Sequence, residues 1–367
     1  MSTPETIVFT RGVPAPESFP LERAAEAAAA VIREHGQATM QYTQSTGMAA
    51  LRDALAERHD VTAEQIMISN GSLQIVDFIG HMMLGEGSVA FTEAPTYDRT
   101  LTLARRHHAT VVGIPLEADG PDIAALEAAL AQHRPKFFYV IPDFQNPSGA
   151  TASLEKRQRL VALAREHDFW LLEDAPYRPL RYRGEQLPSL FELDADRVLH
   201  MSSFTKQISP GVRVGYLIGD PAVISTLAKV AEDSYITPNL VGEGIVYEFI
   251  RRGWLDEQLD ALRALYLPRL EAIGAALERY LPDADWIKPD GGFFLSVTLP
   301  EGVTNEALRQ AARDRGLVLS DGRGFFPNPA DGERFVRLPF CAMSEDELAE
   351  GVRRLAESVH ALTEGGS

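Results

Sequence analysis

Seven short apolar runs recur through the middle of the chain, at 66–69, 88–92, 110–114, 137–141, 170–173, 198–202 and 214–218. Several are continuous rather than alternating, which suits a parallel sheet covered on both faces. Helix-like stretches lie between them, such as 71–83, 123–132 and 154–167. Strand and helix signals in alternation predict an α/β fold, here a mostly parallel seven-stranded sheet with helices on both faces. Such a sheet places its ligand at the loops that follow the carboxyl ends of its strands.

The pattern changes after about Val241. Two long helical stretches, 242–253 and 255–281, precede a smaller α+β segment with strands at 293–299 and 335–340 and a last helix at 344–363. The alanine-rich helix at 20–35 is expected to pack with this C-terminal part. Residues 40–260 would then form a large domain, and 1–39 with 261–367 a small one, ending in a frayed tail at 364–367.

With 367 residues the chain can bury a sizeable core. A formal charge of −17 argues against nucleic-acid binding and against attraction to anionic membranes. Cys341 is the only cysteine, so no intrachain disulfide forms and a reducing compartment is expected. The first residues show no basic segment followed by an apolar one, and no apolar run approaches the roughly 20 residues of a membrane span. These features point to the cytoplasm. His107-His108 follows two arginines and reads as a solvated helix end, so no metal site is indicated.

Chemistry-bearing residues gather at the predicted strand ends. Lys206 is enclosed by Ser, Gly and apolar residues between Ser202 and Gly215. Burial disfavours an ammonium, and a neutral amine attacks aldehydes. Ser203 and Arg213 offer a hydroxyl and a guanidinium suited to phosphate. Taken alone, the stretch also reads as a turn with a solvated lysine and arginine. Asp174 ends an apolar strand, where a carboxylate needs a cationic or hydrogen-bonding partner. Asn146 follows another strand within Asn-Pro-Ser-Gly, which is also ordinary turn chemistry. Ser72 and Leu73 open a helix whose free amides can bind phosphate, although Ser72 also suits a plain N-cap. Tyr97 offers a ring face or simple core packing. One ligand unites these groups: an aromatic aldehyde bearing a phosphate, which is pyridoxal 5′-phosphate.

Several motifs occur in one order: Gly12-Val13-Pro14-Ala15-Pro16 with Phe19-Pro20, Gln41-Tyr42 with Gly47 and Leu51-Arg52, Gln145-Asn146-Pro147-Ser148-Gly149, Glu173-Asp174 with Tyr177, and the Lys206 segment. The chain thereby resembles fold-type I pyridoxal-phosphate enzymes of the class I/II aminotransferase family, in the branch of 2-aminoadipate aminotransferases and MocR-type aminotransferase domains. The resemblance implies that Lys206 is the Schiff-base lysine and the proton carrier, and that Asp174 pairs with the ring nitrogen. It implies that Asn146 and Tyr177 bind the phenolate, that Tyr97 stacks on the ring, and that Ser72, the Leu73 amide, Ser203 and Arg213 bind the phosphate. Tyr42 matches a tyrosine that reaches the neighbouring subunit's phosphate, so a homodimer with shared active sites is implied. Arg337 matches the arginine that grips the substrate α-carboxylate, with Asn146 and the Gly12 segment beside it.

Four departures mark the expected substrate mouth. Arg11 stands where relatives often have glycine, so it would either recognise a distal carboxylate or remain a solvated loop residue. Ser296 replaces a common large aromatic, and Asp321-Gly322 replaces Pro-Gly. The N-terminal arm before Gly12 is short, so a lid over the substrate side chain is expected to be missing or supplied otherwise. The expected reaction is transfer of the amino group of an L-amino acid to a 2-oxo acid such as 2-oxoglutarate or pyruvate. The same site can also support β-elimination, decarboxylation, cyclisation or oxidation of an amino acid in specialised metabolism. A MocR-like effector-sensing module is a third reading, disfavoured by the acidic charge and the few residues before the first helix.

Overall fold

The computed structural model describes residues 6–364. The N-terminal residues 1–5, read above for a leader, and residues 365–367 of the expected tail at 364–367 lie outside the described residues, while residue 364 ends the last helix.

All seven expected strands form, in one sheet of eight. Its order is Ile66–Ser69, Gly215–Ile218, Val198–Ser203, Trp170–Asp174, Pro135–Val140, Val89–Ala94, Thr110–Glu117, Gly120–Pro121. The five strands from Val198–Ser203 to Thr110–Glu117 are mutually parallel, and Gly215–Ile218 runs antiparallel to both its neighbours. The eighth strand turns straight back along Thr110–Glu117, pairing Leu116 with Pro121. With two residues it carries no apolar run that could announce it.

Both sheet faces are apolar, as continuous runs require. Phe91, Phe138, Leu171 and Val198 face the helices Ile123–Gln132 and Leu154–His167, meeting Leu126, Leu130, Leu160 and Leu163. Ala90, Phe137, Tyr139, Leu172 and Leu199 join the larger cluster, with Ile75, Phe78 and Ile79 of the helix Ser72–Met83. The same alternation sends Glu173 to the first face, where it meets His200 Nδ1 at 2.8 Å, and Asp174 to the second.

A separate cluster joins Ile7 and Phe9 to Leu270, Ile273, Leu295, Leu338 and Val352. It lies around the sheet Asp285–Trp286, Phe294–Thr298, Phe335–Pro339 and the helix Glu345–Glu364. The strand Ile7–Phe9 pairs in parallel with Leu317–Leu319. The helix Trp254–Tyr280 serves both cores: Leu255, Leu259 and Leu262 pack in the larger, Leu270, Ile273 and Leu277 in the smaller.

The helix Leu21–Thr39 packs with the first helix of the C-terminal part rather than with its α+β segment. It lies along Leu240–Arg251, where a Cβ on Gly244 would fall 2.6 Å from Val31 Cγ1. The missing side chain at Gly244 lets the helices approach, and Arg252 pairs with Glu26 across them. His107 ends the helix Asp98–Arg106 as expected, but its ring is half-buried, with Nε2 meeting Asp77 Oδ1 at 2.8 Å.

Candidate active site

Where the parallel strands end, a cavity of about 640 Å³ opens. It is lined by Lys206, Asp174, Tyr177, Ser72, Leu73, Tyr97, Asn146, Ser203, Arg213, Arg337, Gly12 and Arg11. Tyr42 lies outside it and is 75% exposed.

Each lining group reaches its place through a local device. Ser203 is the last residue of its strand, and Phe204 returns to Val214 through its backbone N–H, so Lys206 sits in a loop closed at its base. Lys206 Nζ donates to the Gly12 carbonyl at 3.1 Å and lies 5.6 Å from the Phe293 ring centre. Removal from water pulls its amine below the ordinary lysine range, with the nearby Arg337 charge acting the same way. Asp174 accepts one hydrogen bond, from the Tyr139 hydroxyl to Oδ2 at 2.6 Å. Its Oδ1 is buried with no partner among the described residues. Burial pushes the carboxyl up to about 6, against the opposing pull of Tyr139 and His200.

At the other end, the helix Ser72–Met83 begins without a side-chain cap, leaving its first amides free. Gly215 makes this possible. A Cβ there would stand 2.5 Å from the Ser72 nitrogen, so only glycine lets the strand meet the helix start. Arg213, in the left-handed region at φ 51°, turns its Nη2 to the Asn70 carbonyl at 2.8 Å beside those amides. Ser203 Oγ donates to Thr205 Oγ1 at 2.8 Å in the same corner.

Arg337 is buried between two rings, 4.8 Å from the Phe294 centre and 4.5 Å from that of Phe325. Its Nη1 donates to Asn146 Oδ1 at 3.1 Å and its Nη2 to the Thr10 carbonyl at 2.6 Å, while Nε has no partner among the described residues. Tyr177 is wedged against Phe293 and Phe294 at centroid distances of 5.7 and 5.8 Å. Of the expected mouth residues, Asp321 lines the cavity but is held by Arg309 and Arg323 at 3.1 and 2.8 Å. Ser296 does not line it, because its hydroxyl is turned to the Ser148 carbonyl at 3.2 Å. Tyr139 was not anticipated from the sequence; a lone hydroxyl inside the buried strand Pro135–Val140 was the available signal.

These groups fit pyridoxal phosphate. The unpartnered Asp174 Oδ1 is an acceptor awaiting a buried N–H, the uncapped helix start and Arg213 suit a phosphate, and Lys206 carries an amine displaced toward its neutral form. Among the described residues no group of three or more His, Cys, Asp or Glu could hold a metal. The fold and this donor set define a fold-type I pyridoxal-phosphate enzyme.

The chain belongs to the aminotransferase class I and II family, whose model matches residues 5–355. It is 35% identical to a 2-aminoadipate transaminase from Thermus thermophilus, over 98% of this chain and 91% of that one. It is 34% identical to aromatic-amino-acid aminotransferase 1 from Thermococcus litoralis, over 98% of this chain and 89% of that one. Among solved structures, an α-aminoadipate aminotransferase from Thermus thermophilus complexed with N-(5′-phosphopyridoxyl)-L-leucine matches with a TM-score of 0.92 at 35% identity, covering 98% of this chain and 93% of that one. The chain is an amino-acid aminotransferase that uses pyridoxal phosphate.

Proposed function

We propose that the chain transfers the amino group of an L-amino acid to 2-oxoglutarate or pyruvate, with Lys206 as the residue that holds the cofactor covalently and moves the proton. The supporting observation is the meeting, in one cavity, of the Lys206 amine, the unpartnered Asp174 oxygen and the Arg337 guanidinium. Bound pyridoxal phosphate supplies the electron sink that stabilises charge at the substrate's α-carbon. Asp174 Oδ1 takes the ring N–H, and Tyr139 keeps the opposite oxygen occupied so that the carboxylate cannot turn away. Asn146 and Tyr177 bind the phenolic oxygen, and Tyr97 covers a ring face. Ser72, the Leu73 amide, Ser203 and Arg213 take the phosphate. Arg337 forks onto the α-carboxylate, its plane fixed by Phe294 and Phe325.

Arg11 is exposed at the cavity rim, with no partner among the described residues, and is proposed to meet a distal carboxylate. An Arg11→Ala variant would then lose preference for acidic over neutral substrates; an unchanged ratio would sink this role. Tyr42, with the equally exposed Met40, is proposed to meet a second copy of the chain and reach its phosphate site. A chain that sizes as a monomer, with full activity, would contradict that. Residues 40–260 are proposed as the cofactor-holding unit and the segments 1–39 and 261–367 as the smaller one, with support from the separate core around Ile7, Phe9 and Leu270. The proposed location is the cytoplasm. Among the described residues no helix is long and apolar enough to cross a membrane.

The test is the absorbance of the purified holoenzyme before and after adding single L-amino acids without an oxo-acid acceptor. Stable conversion to the pyridoxamine form identifies transamination and the donor. Release of ammonia, carbon dioxide or peroxide instead would show that the site runs a different reaction.

A further inference from the structure

Glu93 is buried one residue before the end of the strand Val89–Ala94 and does not line the cavity. Its Oε2 accepts from the Ile141 backbone N–H at 3.2 Å and from Gln145 Nε2 at 3.0 Å. Gln145 Nε2 also donates to the Pro95 carbonyl at 2.8 Å. Gln145 Oε1 accepts from the Ser148 amide at 2.9 Å and its hydroxyl at 2.7 Å. One buried chain of side-chain bonds therefore joins two turns. The first turn carries Tyr97; the second carries Asn146, whose Oδ1 accepts from Arg337 Nη1 at 3.1 Å.

The protonation state of Glu93 follows from its setting. Both N–H donors converge on one oxygen, leaving the other free to carry a proton. Asp174 is the charged group acting on it, and a second negative charge this deeply buried would be unfavourable. Burial, with Asp174 adding to it, pushes the Glu93 carboxyl up to about 8, against the pull of its two donors.

We infer that Glu93, as a neutral acid, is the positioning residue that fixes the spacing of Tyr97 and Asn146 around the cofactor, and through Asn146 the aim of Arg337. This rests on the reading that Tyr97 and Asn146 contact the bound cofactor. Glutamine is the matching isostere: its carbonyl keeps both donors, and its amide stands where the acid holds its O–H. Alanine removes the acceptor shared by Ile141 and Gln145 and leaves Gln145 held only by the Pro95 carbonyl and Ser148.

The experiment compares wild type, Glu93→Gln and Glu93→Ala as holoenzymes. The absorbance of bound pyridoxal phosphate is titrated from about pH 5 to 10 and the donor KM and kcat are measured, with these ranges set by ordinary side-chain titration. Glu93→Gln is expected to keep the wild-type spectrum up to about pH 8, where Glu93 still holds its proton. Glu93→Ala is expected to move the midpoint by about one pH unit, the size of one lost buried hydrogen bond. It is also expected to lower kcat/KM up to roughly 100-fold, mostly through KM, because both groups around the reacting centre are displaced. Equal damage in Glu93→Gln would overturn the neutral-acid role, and an unmoved spectrum in Glu93→Ala would overturn the positioning. Should Glu93→Ala fail to fold, Gln145→Met cuts the same chain from its other end; the same shift is expected, and no shift overturns the inference. A wild-type protein with no cofactor band would instead overturn the reading of the site, a result distinct from a band that does not move.

Discussion

The Tyr139 hydroxyl donates to Asp174 Oδ2 at 2.6 Å inside the protein and leaves Oδ1 without a partner among the described residues. One oxygen is anchored and the other is reserved, so the direction of the carboxylate is set before any ligand arrives. Tyr139→Phe removes the anchor with little change of volume. The hydroxyl pulls the Asp174 carboxyl down, so its loss should raise that group above its present value of about 6 and weaken its proposed pairing with a protonated ring nitrogen. A buried hydrogen bond to a charged group is worth about 1.5–3 kcal/mol, so cofactor affinity should fall roughly 10- to 100-fold. Equilibrium titration of the apoprotein with pyridoxal phosphate checks this; unaltered affinity would mean that Asp174 is held by its packing alone.

Arg337 illustrates a different kind of preorganisation. Phe294 and Phe325 fix its plane, while Asn146 and Thr10 take Nη1 and Nη2. Arg337→Lys keeps the charge but loses the planar fork. The expected result is a loss of about 2–3 kcal/mol in transition-state binding, or roughly 30- to 150-fold in kcat/KM for every α-amino acid. Amines without an α-carboxylate should react with both proteins alike. A variant equally impaired toward those amines would point to a collapsed cavity.

Legibility from sequence followed the physics of each feature. Strands such as Trp170–Asp174 were readable because burial on both faces demands continuous apolar runs, and the residue ending each run was therefore marked for chemistry. Lys206, Asp174 and Arg213 stood out as charges in apolar or glycine-rich company. Glu93 and Tyr139 did not, because what they do depends on which strand lies beside theirs, and pairing across the sheet leaves no local trace. The partner of the helix Leu21–Thr39 within the C-terminal part was hidden for a related reason. Its alanine-rich face fits any close-packed surface, and Gly244, which selects the true one, lies far away in sequence. Ser296 was read as a mouth residue, although one hydrogen bond to the Ser148 carbonyl turns it from the cavity.

The contact of Gly215 with the start of the helix Ser72–Met83 predicts a phosphate-specific defect. A methyl at Gly215 would meet the Ser72 nitrogen at 2.5 Å and the Gly71 carbonyl carbon at 2.7 Å, both backbone atoms that cannot swing aside. Gly215→Ala should therefore push the helix start away from Arg213 and weaken binding of pyridoxal phosphate at least about tenfold, the worth of one charge-assisted hydrogen bond. Pyridoxal, which lacks the phosphate, should bind both proteins alike. Equal weakening of both ligands would place the damage in the sheet rather than at the phosphate corner.

Glu93 should also leave a signature in the stability of the cofactor-free protein. Its folded carboxyl lies near 8, above the unfolded range, so between about pH 4.5 and 8 the folded state binds a proton that the unfolded state has released. The resulting stabilisation is fully present below the unfolded carboxyl range and is lost as pH rises through about 8. Glutamine carries no proton to lose. Urea denaturation of wild type and Glu93→Gln at pH 5, 7 and 9 should therefore show the variant gaining on wild type as pH rises, with the difference levelling off above about pH 8. Asp174 titrates in both proteins and cancels in the comparison. A difference that stays flat across the range would mean that Glu93 is already ionised in the folded protein, its charge then being held by the two N–H donors alone.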